Sequence, residues 1–233
     1  MFRFRWIPFV AAIVVAAIGI ALGQWQTRRA HEKESIEMLM RARRAAAPLD
    51  LNIAQSLEDG EYWHAVVRGQ FIPEWSLYLD NRPHNGIAGF YLLMPFRIAD
   101  TDQNILVARG WIPRNPGDRT RLPVVPTPQG VIELQGELRR NAGHVMELGS
   151  APPLKPHAIV QNADPIGVSQ ASGLRLAPLM LEQLNDTQDG LVRDWPQPSI
   201  GVEKHRGYAF QWYGLAATAL IFFVVTGFRR GTN

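Results

Sequence analysis

The sequence predicts a membrane protein of the α+β class, in which a hairpin of two transmembrane helices flanks one external antiparallel β-rich domain with a barrel-like or sandwich-like sheet. Three observations support this prediction. The chain of 233 residues has a long apolar run near each end, and the segment between them consists mainly of short strand-like runs separated by turn signals. Runs of about 20 apolar residues are long enough to span a bilayer, and short strands at regular spacing are typical of compact barrels and sandwiches.

The first apolar run covers residues 6–25 and is interrupted only by a proline, two glycines and a glutamine. Because two arginines precede it, a cleaved signal peptide is an alternative interpretation. We favour a retained transmembrane helix, since the run is longer than a usual signal core and no A-x-A-like cleavage site follows Ala21. Gly19 and Gly23 also have the small-xxx-small spacing that lets two membrane helices approach closely.

The second apolar run has no charged residue from Tyr208 to Phe228. We assign residues 205–228 to the second transmembrane helix.

The arginines near the termini predict the orientation of the hairpin. The short tails at residues 1–5 and 229–233 each carry two arginines, which predicts that both tails are cytoplasmic and that the middle segment lies outside. The basic residues between Arg28 and Arg44 argue for the opposite orientation. We give them less weight, because long loops are translocated largely regardless of their charge.

The middle segment begins with a predicted helical extension at residues 26–47, which Pro48 ends. Residues 48–204 are then predicted to form the external β-rich domain, with one short helix at residues 178–184. Its strands are predicted at residues 62–71, 76–79, 90–98, 105–112 and 131–138.

Composition excludes several classes of function. The chain contains no cysteine, which removes disulfides, thiolate metal sites and cysteine nucleophiles. Its net charge of +3 comes from residues close to the two spans, whereas residues 48–228 are net acidic. We therefore expect no nucleic-acid partner, because such binding requires basic charge clustered on the folded domain.

Motifs for enzymatic chemistry are also missing. The sequence has no G-x-S-x-G, H-E-x-x-H, Walker or G-x-G-x-x-G pattern, so we predict that the protein is not an enzyme. Asp80-Asn81-Arg82 is interpreted as a turn at a strand end. For Arg109-Gly110-Trp111, a buried salt bridge with a core tryptophan is preferred over contact with a partner protein.

His205 is the main candidate for a functional residue. It lies one helical turn before Tyr208 and two turns before Trp212, at the start of the second span, while Trp25 and Gln26 end the first span at the same depth. A neutral imidazole among aromatic side chains at the membrane boundary can bind a metal or a flat cofactor. The alternative is that these residues form an ordinary interfacial belt that anchors the span.

Four ordered segments together resemble one known family and cover nearly the whole chain. They are Leu22–Arg28 with Lys33, Asp80–Arg82 through Gly86 and Gly89 to Pro95-Phe96, Leu106–Pro113, and His205–Trp212. In these segments the sequence resembles the surfeit locus protein 1 family of cytochrome c oxidase assembly factors.

This resemblance implies a non-enzymatic assembly factor of the bacterial or mitochondrial inner membrane. We expect the bacterial inner membrane, with the central domain in the periplasm. The implied partners are oxidase subunit I, other oxidase assembly factors, membrane lipid and haem a as a transient cargo. The alternative is a membrane-tethered chaperone that holds an oxidase intermediate and binds no cofactor.

The resemblance also implies that His205 is the axial ligand of the haem iron. In that arrangement the haem ring packs against Tyr208, Trp212 and Trp25, close to Gln26. Either Arg206 or Arg28 pairs with the propionates, unless both arginines only extend to the lipid headgroups. The family often has asparagine just before the histidine, whereas this sequence has Glu203 and Lys204 there.

Overall fold

The computed structural model describes residues 2–54, 57, 59–118, 120–146, 152–196 and 201–230. Its elements in chain order are β1 (Phe2–Phe4), α1 (Trp6–Ala45), β2 (Leu49–Asp50), β3 (His64–Phe71), a 3-10 turn (Pro73–Trp75), β4 (Leu77–Leu79), β5 (Gly89–Ile98), β6 (Asn104–Pro113), β7 (Ile132–Arg139), β8 (Ile159–Val160), α2 (Pro165–Ser172), β9 (Leu176–Gln183), α3 (Val202–Thr226) and β10 (Phe228–Arg230). The chain forms two compact units. One comprises Met1–Arg41 with Pro198–Asn233, and the other comprises Ala42–Gln197.

The first unit is a helical hairpin. Both α1 and α3 are long and apolar enough to cross a membrane, and most of the apolar residues in each are exposed rather than buried within the protein. That exposure distinguishes them from the core helices of a soluble protein. The short strands β1 and β10 pair in antiparallel fashion.

The two helices of the hairpin contact each other mostly through small residues. The buried residues recur at intervals of three, four or seven positions, which is the spacing of a coiled-coil contact. We call this contact face the seam. Its buried members are Ala12, Ala16, Gly19, Gly23 and Ala30 on α1, and Val202, Ala209, Ala216 and Phe223 on α3.

The predicted close approach at Gly19 and Gly23 is confirmed. A Cβ atom added at Gly19 would lie 2.9 Å from the carbonyl oxygen of Trp212, and one added at Gly23 would lie 2.6 Å from the ring of Tyr213. Both distances are shorter than normal van der Waals contact. The absence of a side chain at these two positions therefore permits the observed helix spacing.

The second unit is a small closed barrel. Five strands pair in the order β3-β7-β9-β6-β5, and pairing of β5 with β3 closes the ring. The strands β4 and β8 extend the sheet beyond β5, and β2 pairs with β3. Most pairings are antiparallel, while β2–β3, β4–β8 and β6–β9 are parallel. The predicted α+β class, with an apolar helix near each end of the chain and a barrel-like sheet formed by the segment between them, is confirmed.

The core of the barrel unit lies on both faces of the sheet. In β6, Ile105 and Val107 point into the barrel, whereas Leu106 and Ala108 pack on the outer face with Val168 of α2. Because both faces are covered, β6 has a nearly continuous apolar sequence.

The prediction of a short helix at residues 178–184 is wrong. This segment lies in strand β9, where Leu179 and Leu181 face the barrel interior and Met180 packs on the outer face. A short, unbroken apolar run suits a strand that is buried on both faces, and periodicity alone does not distinguish such a strand from a helix.

The helix of this unit is α2 instead, and its ends carry ordinary signals. Asp164 caps its N-terminus by accepting a hydrogen bond of 2.7 Å from the backbone N–H of Gly167, and Pro165 occupies the first turn. Gly173 ends the helix in the left-handed conformation, with a φ of 73°.

Candidate functional site

His205 lies on the first turn of α3 and takes part in the seam. It follows the buried Val202 by three positions and precedes the buried Ala209 by four. Its half-buried imidazole contacts α1 through a 2.6 Å hydrogen bond between its Nδ1 and Oε1 of Gln26. The imidazole is therefore held between the two helices of the hairpin.

This hydrogen bond determines which ring nitrogen can bind a ligand. The amide oxygen of Gln26 carries no proton, so Nδ1 of His205 donates. In a neutral imidazole the proton on Nδ1 leaves Nε2 with its lone pair. Within the described residues, no hydrogen bond or ion pair involves Nε2. The structure therefore leaves Nε2 as a potential metal ligand.

The predicted aromatic residues divide into two groups. Trp212 is half-buried and belongs to the seam, where its carbonyl oxygen faces Gly19. Trp25 and Tyr208 are 47% and 53% exposed. These two side chains therefore offer free aromatic surface on the same helical turns as Gln26 and His205.

The two arginines predicted to meet an anionic group have different surroundings. Nη2 of Arg206 lies 2.5 Å from Oε1 of Glu34, and its Nη1 lies 3.6 Å from Oε1 of Glu203. Oε2 of Glu34 lies 3.2 Å from Nδ1 of His31. Arg28 is exposed and has no polar partner in the part of the chain that the structure describes. Arg206 must therefore leave carboxylates before it can bind another anion, whereas Arg28 is free to do so.

Sequence reasoning missed three polar contacts next to this site. Besides the Arg206–Glu34 pair, the hydroxyl of Thr27 donates a 2.9 Å hydrogen bond to the carbonyl of Gly23 and lies 3.4 Å from the hydroxyl of Tyr213. The helical spacing in the sequence offered a signal. Thr27 is adjacent to Gln26, and Glu34 follows Gln26 by eight positions, so both lie on or beside the face of α1 that meets α3. Finding them required the rotation and register of α1 against α3, which the structure supplies.

A buried ion pair lies inside the barrel. Nη2 of Arg109 is 2.8 Å from Oδ2 of Asp189, and neither side chain has any solvent exposure. Arg109 also donates hydrogen bonds to the hydroxyl of Thr127 and the carbonyl of Pro126, and its guanidinium lies over the ring of Phe71. The prediction of a buried salt bridge at Arg109 is confirmed.

Burial disfavours the charged form of both groups, but the pKa of each also depends on its hydrogen-bond partners. Burial lowers the pKa of Arg109, although the hydrogen bond to Asp189 acts in the opposite direction. For Asp189 burial favours the neutral acid, but hydrogen bonds from Arg193 and from the backbone N–H of Leu191 outweigh it and lower the pKa. Asp189 therefore remains an anion between two arginines.

Arg82 also has a structural role. Its guanidinium donates hydrogen bonds to the carbonyls of Asp80, Gly143 and Gln161, and its own carbonyl accepts a 2.7 Å hydrogen bond from Nε1 of Trp111. Asn81, between them, has a φ of 60° directly after strand β4, but the turn itself lies further on, at Asn85 and Gly86 between the paired His84 and Ile87.

Two neighbouring carboxylates lie on the outer face of the barrel. Glu137 and Glu182 are directly paired across β7 and β9. Arg44 donates two hydrogen bonds to Glu137, of 2.7 and 3.0 Å, and Arg139 lies 3.2 Å from Glu137 and 3.8 Å from Glu182. Burial, and secondly the charge of Glu137, raise the pKa of Glu182 to about 7, although Arg139 opposes this shift.

No group of three or more His, Asp or Glu side chains is arranged to hold a metal ion among the described residues.

Fold and site together define a class of protein. Its chain has a small closed β-barrel and two apolar helices, and one histidine side chain lies in the contact between these helices. The comparison with known families identifies the class further. The sequence profile of the SURF1 family matches residues 13–217, so the chain belongs to the SURF1 family. The family resemblance of the four sequence segments is thereby confirmed.

Individual relatives agree with this assignment. The chain is 34% identical to a SURF1-like protein of Rickettsia felis over 44% of the chain and 45% of that protein. It is 31% identical to the cytochrome oxidase assembly protein SHY1 of Saccharomyces cerevisiae over 41% of the chain and 25% of that protein. A SURF1-like protein of Rickettsia bellii is 26% identical over 92% of the chain and 88% of its own length. The first two alignments thus span less than half of the relatives' own length.

Proposed function

We propose that the protein is a cytochrome c oxidase assembly factor of the bacterial inner membrane that binds haem a at the outer membrane boundary and assists its insertion into oxidase subunit I. Membership of the SURF1 family and the name of the yeast relative support an assembly role. The observation that carries the haem proposal is His205, an imidazole fixed between two apolar helices with Nε2 unused.

The residues around His205 fit a haem. A haem supplies four equatorial nitrogen donors itself and needs only axial ligands from the protein, which suits a single histidine. The exposed rings of Trp25 and Tyr208 offer apolar surface for the macrocycle. Arg28 offers a free guanidinium for a propionate, and Arg206 offers a second one if it exchanges its carboxylate partners.

The same features suit a transient cargo. One protein ligand to the iron leaves the other axial position available, and half-exposed aromatic rings do not enclose the macrocycle. The barrel domain then lies in the periplasm, with oxidase subunit I and other assembly factors as its partners and lipid around the two helices.

Purification from cells that make haem a tests the proposal. We expect the wild-type protein to carry haem a in its visible spectrum, and we expect His205→Ala to lose it while remaining folded by circular dichroism. His144→Ala is the matched control, because His144 is an exposed histidine outside the hairpin with no polar partner in the described part of the chain, so its loss should leave haem binding unchanged. A colourless wild-type protein would instead support a membrane-tethered chaperone that binds no cofactor.

A further inference from the structure

We propose that Gln26 is a positioning residue for His205. The amide oxygen of Gln26 fixes the imidazole of His205 in the tautomer that has a proton on Nδ1 and a free lone pair on Nε2. This inference deepens the proposed function, on which its haem-related part rests. The state of the imidazole itself can be tested without haem.

The position of Gln26 in the seam favours a cross-helix hydrogen bond. It lies three residues after the buried Gly23 and four before the buried Ala30, at a place in the repeat where α1 otherwise has small apolar residues. An amide in a helix contact is costly unless it is hydrogen-bonded. The side chain opposite is His205, which likewise occupies a repeat position of α3.

Other polar groups nearby are engaged elsewhere. The hydroxyl of Thr27 donates a hydrogen bond to the carbonyl of Gly23, and Arg206 forms an ion pair with Glu34. Within the described part of the chain, Gln26 is the one hydrogen-bond partner of His205. The tautomer of His205 therefore depends on this single amide.

The identity of the acceptor also affects the metal-binding strength of His205. A ligating histidine usually donates its second ring N–H to an oxygen acceptor, which orients the ring and raises its basicity. A carboxylate at position 26 would strengthen this effect, and an apolar side chain would remove it. Gln26 thus gives an intermediate donor strength, which suits a cargo that must later be released.

The experiment on the protein without haem uses full-length protein in detergent micelles with 15N-labelled histidine. The His205 signals are identified by their absence from His205→Ala, and the pH is kept high enough for neutral imidazoles. We expect the wild-type His205 to have protonated Nδ1 and unprotonated Nε2. Gln26→Met preserves the length of the side chain but removes its acceptor, so we expect a mixture of tautomers or a majority with protonated Nε2.

Thr27→Val is the matched control in the same helix. It removes a neighbouring cross-helix polar contact, to Tyr213, and leaves the Gln26–His205 bond in place, so the tautomer should stay as in the wild type. The inference is wrong if the wild-type His205 carries its proton mainly on Nε2, or if Gln26→Met does not change the tautomer.

The second arm of the experiment uses haem added to the purified protein. We expect Gln26→Met to weaken haem binding by about 10- to 100-fold, the usual effect of losing such a hydrogen bond. We expect Gln26→Glu to lower the reduction potential of the bound iron, because a carboxylate makes the imidazole a stronger donor.

The two proposals can fail separately. If the wild-type protein has the expected tautomer but binds no haem, the positioning role of Gln26 stands and the haem proposal fails. If haem binds through His205 but neither the tautomer nor the potential responds to residue 26, the haem proposal stands and the role of Gln26 is refuted.

Discussion

The two units of the molecule differ in how they satisfy polar groups that are wholly or partly buried. Inside the barrel, Arg109 and Asp189 form a fully buried ion pair with further partners on both sides. In the helical hairpin, His205 has one neutral hydrogen bond and keeps a nitrogen free. The barrel pairs these charges within the protein, whereas the hairpin leaves one potential ligating atom available, which agrees with placing the proposed haem site in the hairpin.

Removing the carboxylate of the barrel's ion pair should have the largest effect. Asp189→Asn leaves Arg109 and Arg193 buried without their counter-charge, so we expect a loss of about 3–5 kcal/mol in the free energy of unfolding. Urea denaturation of the full-length protein in micelles measures this loss. Asp186→Asn is the control, because that carboxylate is mostly exposed and lies 3.4 Å from the same Arg193. A loss below about 1 kcal/mol for Asp189→Asn would show that the pair is not structurally important.

Glu182 should make the stability of the barrel depend on pH. Burial raises its pKa from the ordinary value of 4.5 to about 7, so the folded state binds the proton more tightly than the unfolded state. The stabilisation from this proton is fully present below about pH 4.5 and is lost as the pH rises through about 7. Glu182→Gln mimics the protonated acid, so at pH 9 we expect the variant to be more stable than the wild type by up to about 3 kcal/mol.

The measurement is the unfolding free energy of both proteins between about pH 4 and pH 9, and the difference should shrink toward the acidic end. Glu137, Arg139 and Arg44 face the same carboxyl group and are unchanged in this variant. Glu133→Gln is the control, since it removes an exposed carboxylate from β7 and should give no such pH-dependent difference. A constant difference across the pH range would contradict the raised pKa.

The elements that were predictable from the sequence are those specified by local pattern. Both apolar helices and the strands β3 to β7 follow from apolar runs and turn residues. The closure of the barrel does not, because pairing of β3 with β5 joins segments through a ring of five strands and leaves no local signal. Strand β9 was mistaken for a helix because its apolar run is buried on both faces, and α2 was overlooked although Asp164 and Gly173 mark its ends.

The candidate site was predictable to a similar degree. The positions of His205 and Gln26 at matching depths follow from the lengths of the two apolar runs. Their hydrogen bond and the pairing of Arg206 with Glu34 depend on the rotation and register of one helix against the other. Those are set by the close approach at Gly19 and Gly23, whose effect on neighbouring side chains appears only in the structure.

The close approach in the hairpin can be broken by one methyl group. Gly23→Ala places a Cβ against the ring of Tyr213, so we expect a wider helix spacing and a cost of about 1–3 kcal/mol. Because the chain has no cysteine, cysteines introduced at the exposed positions Ile13 and Ile221 can carry spin labels, and the distance between the labels should increase. Gly214→Ala is the control, as nothing lies within 4 Å of its added Cβ. An unchanged distance in Gly23→Ala would show that Tyr213 moves aside instead.

The smallest expected effect on stability concerns the exposed ion pair beside His205. Arg206 is 59% exposed in its side chain, so losing its pair with Glu34 should cost at most about 1 kcal/mol. Breaking this pair at Glu34 should instead favour haem binding, because Glu34 competes with a propionate for Arg206. Glu34→Gln frees Arg206 from its nearest carboxylate, so we expect haem titrations to show tighter binding by a few-fold, whereas Arg206→Gln should weaken it. If Glu34→Gln has no effect and Arg28→Gln weakens binding, the propionate partner is Arg28, and the Arg206–Glu34 pair serves only to join the two helices.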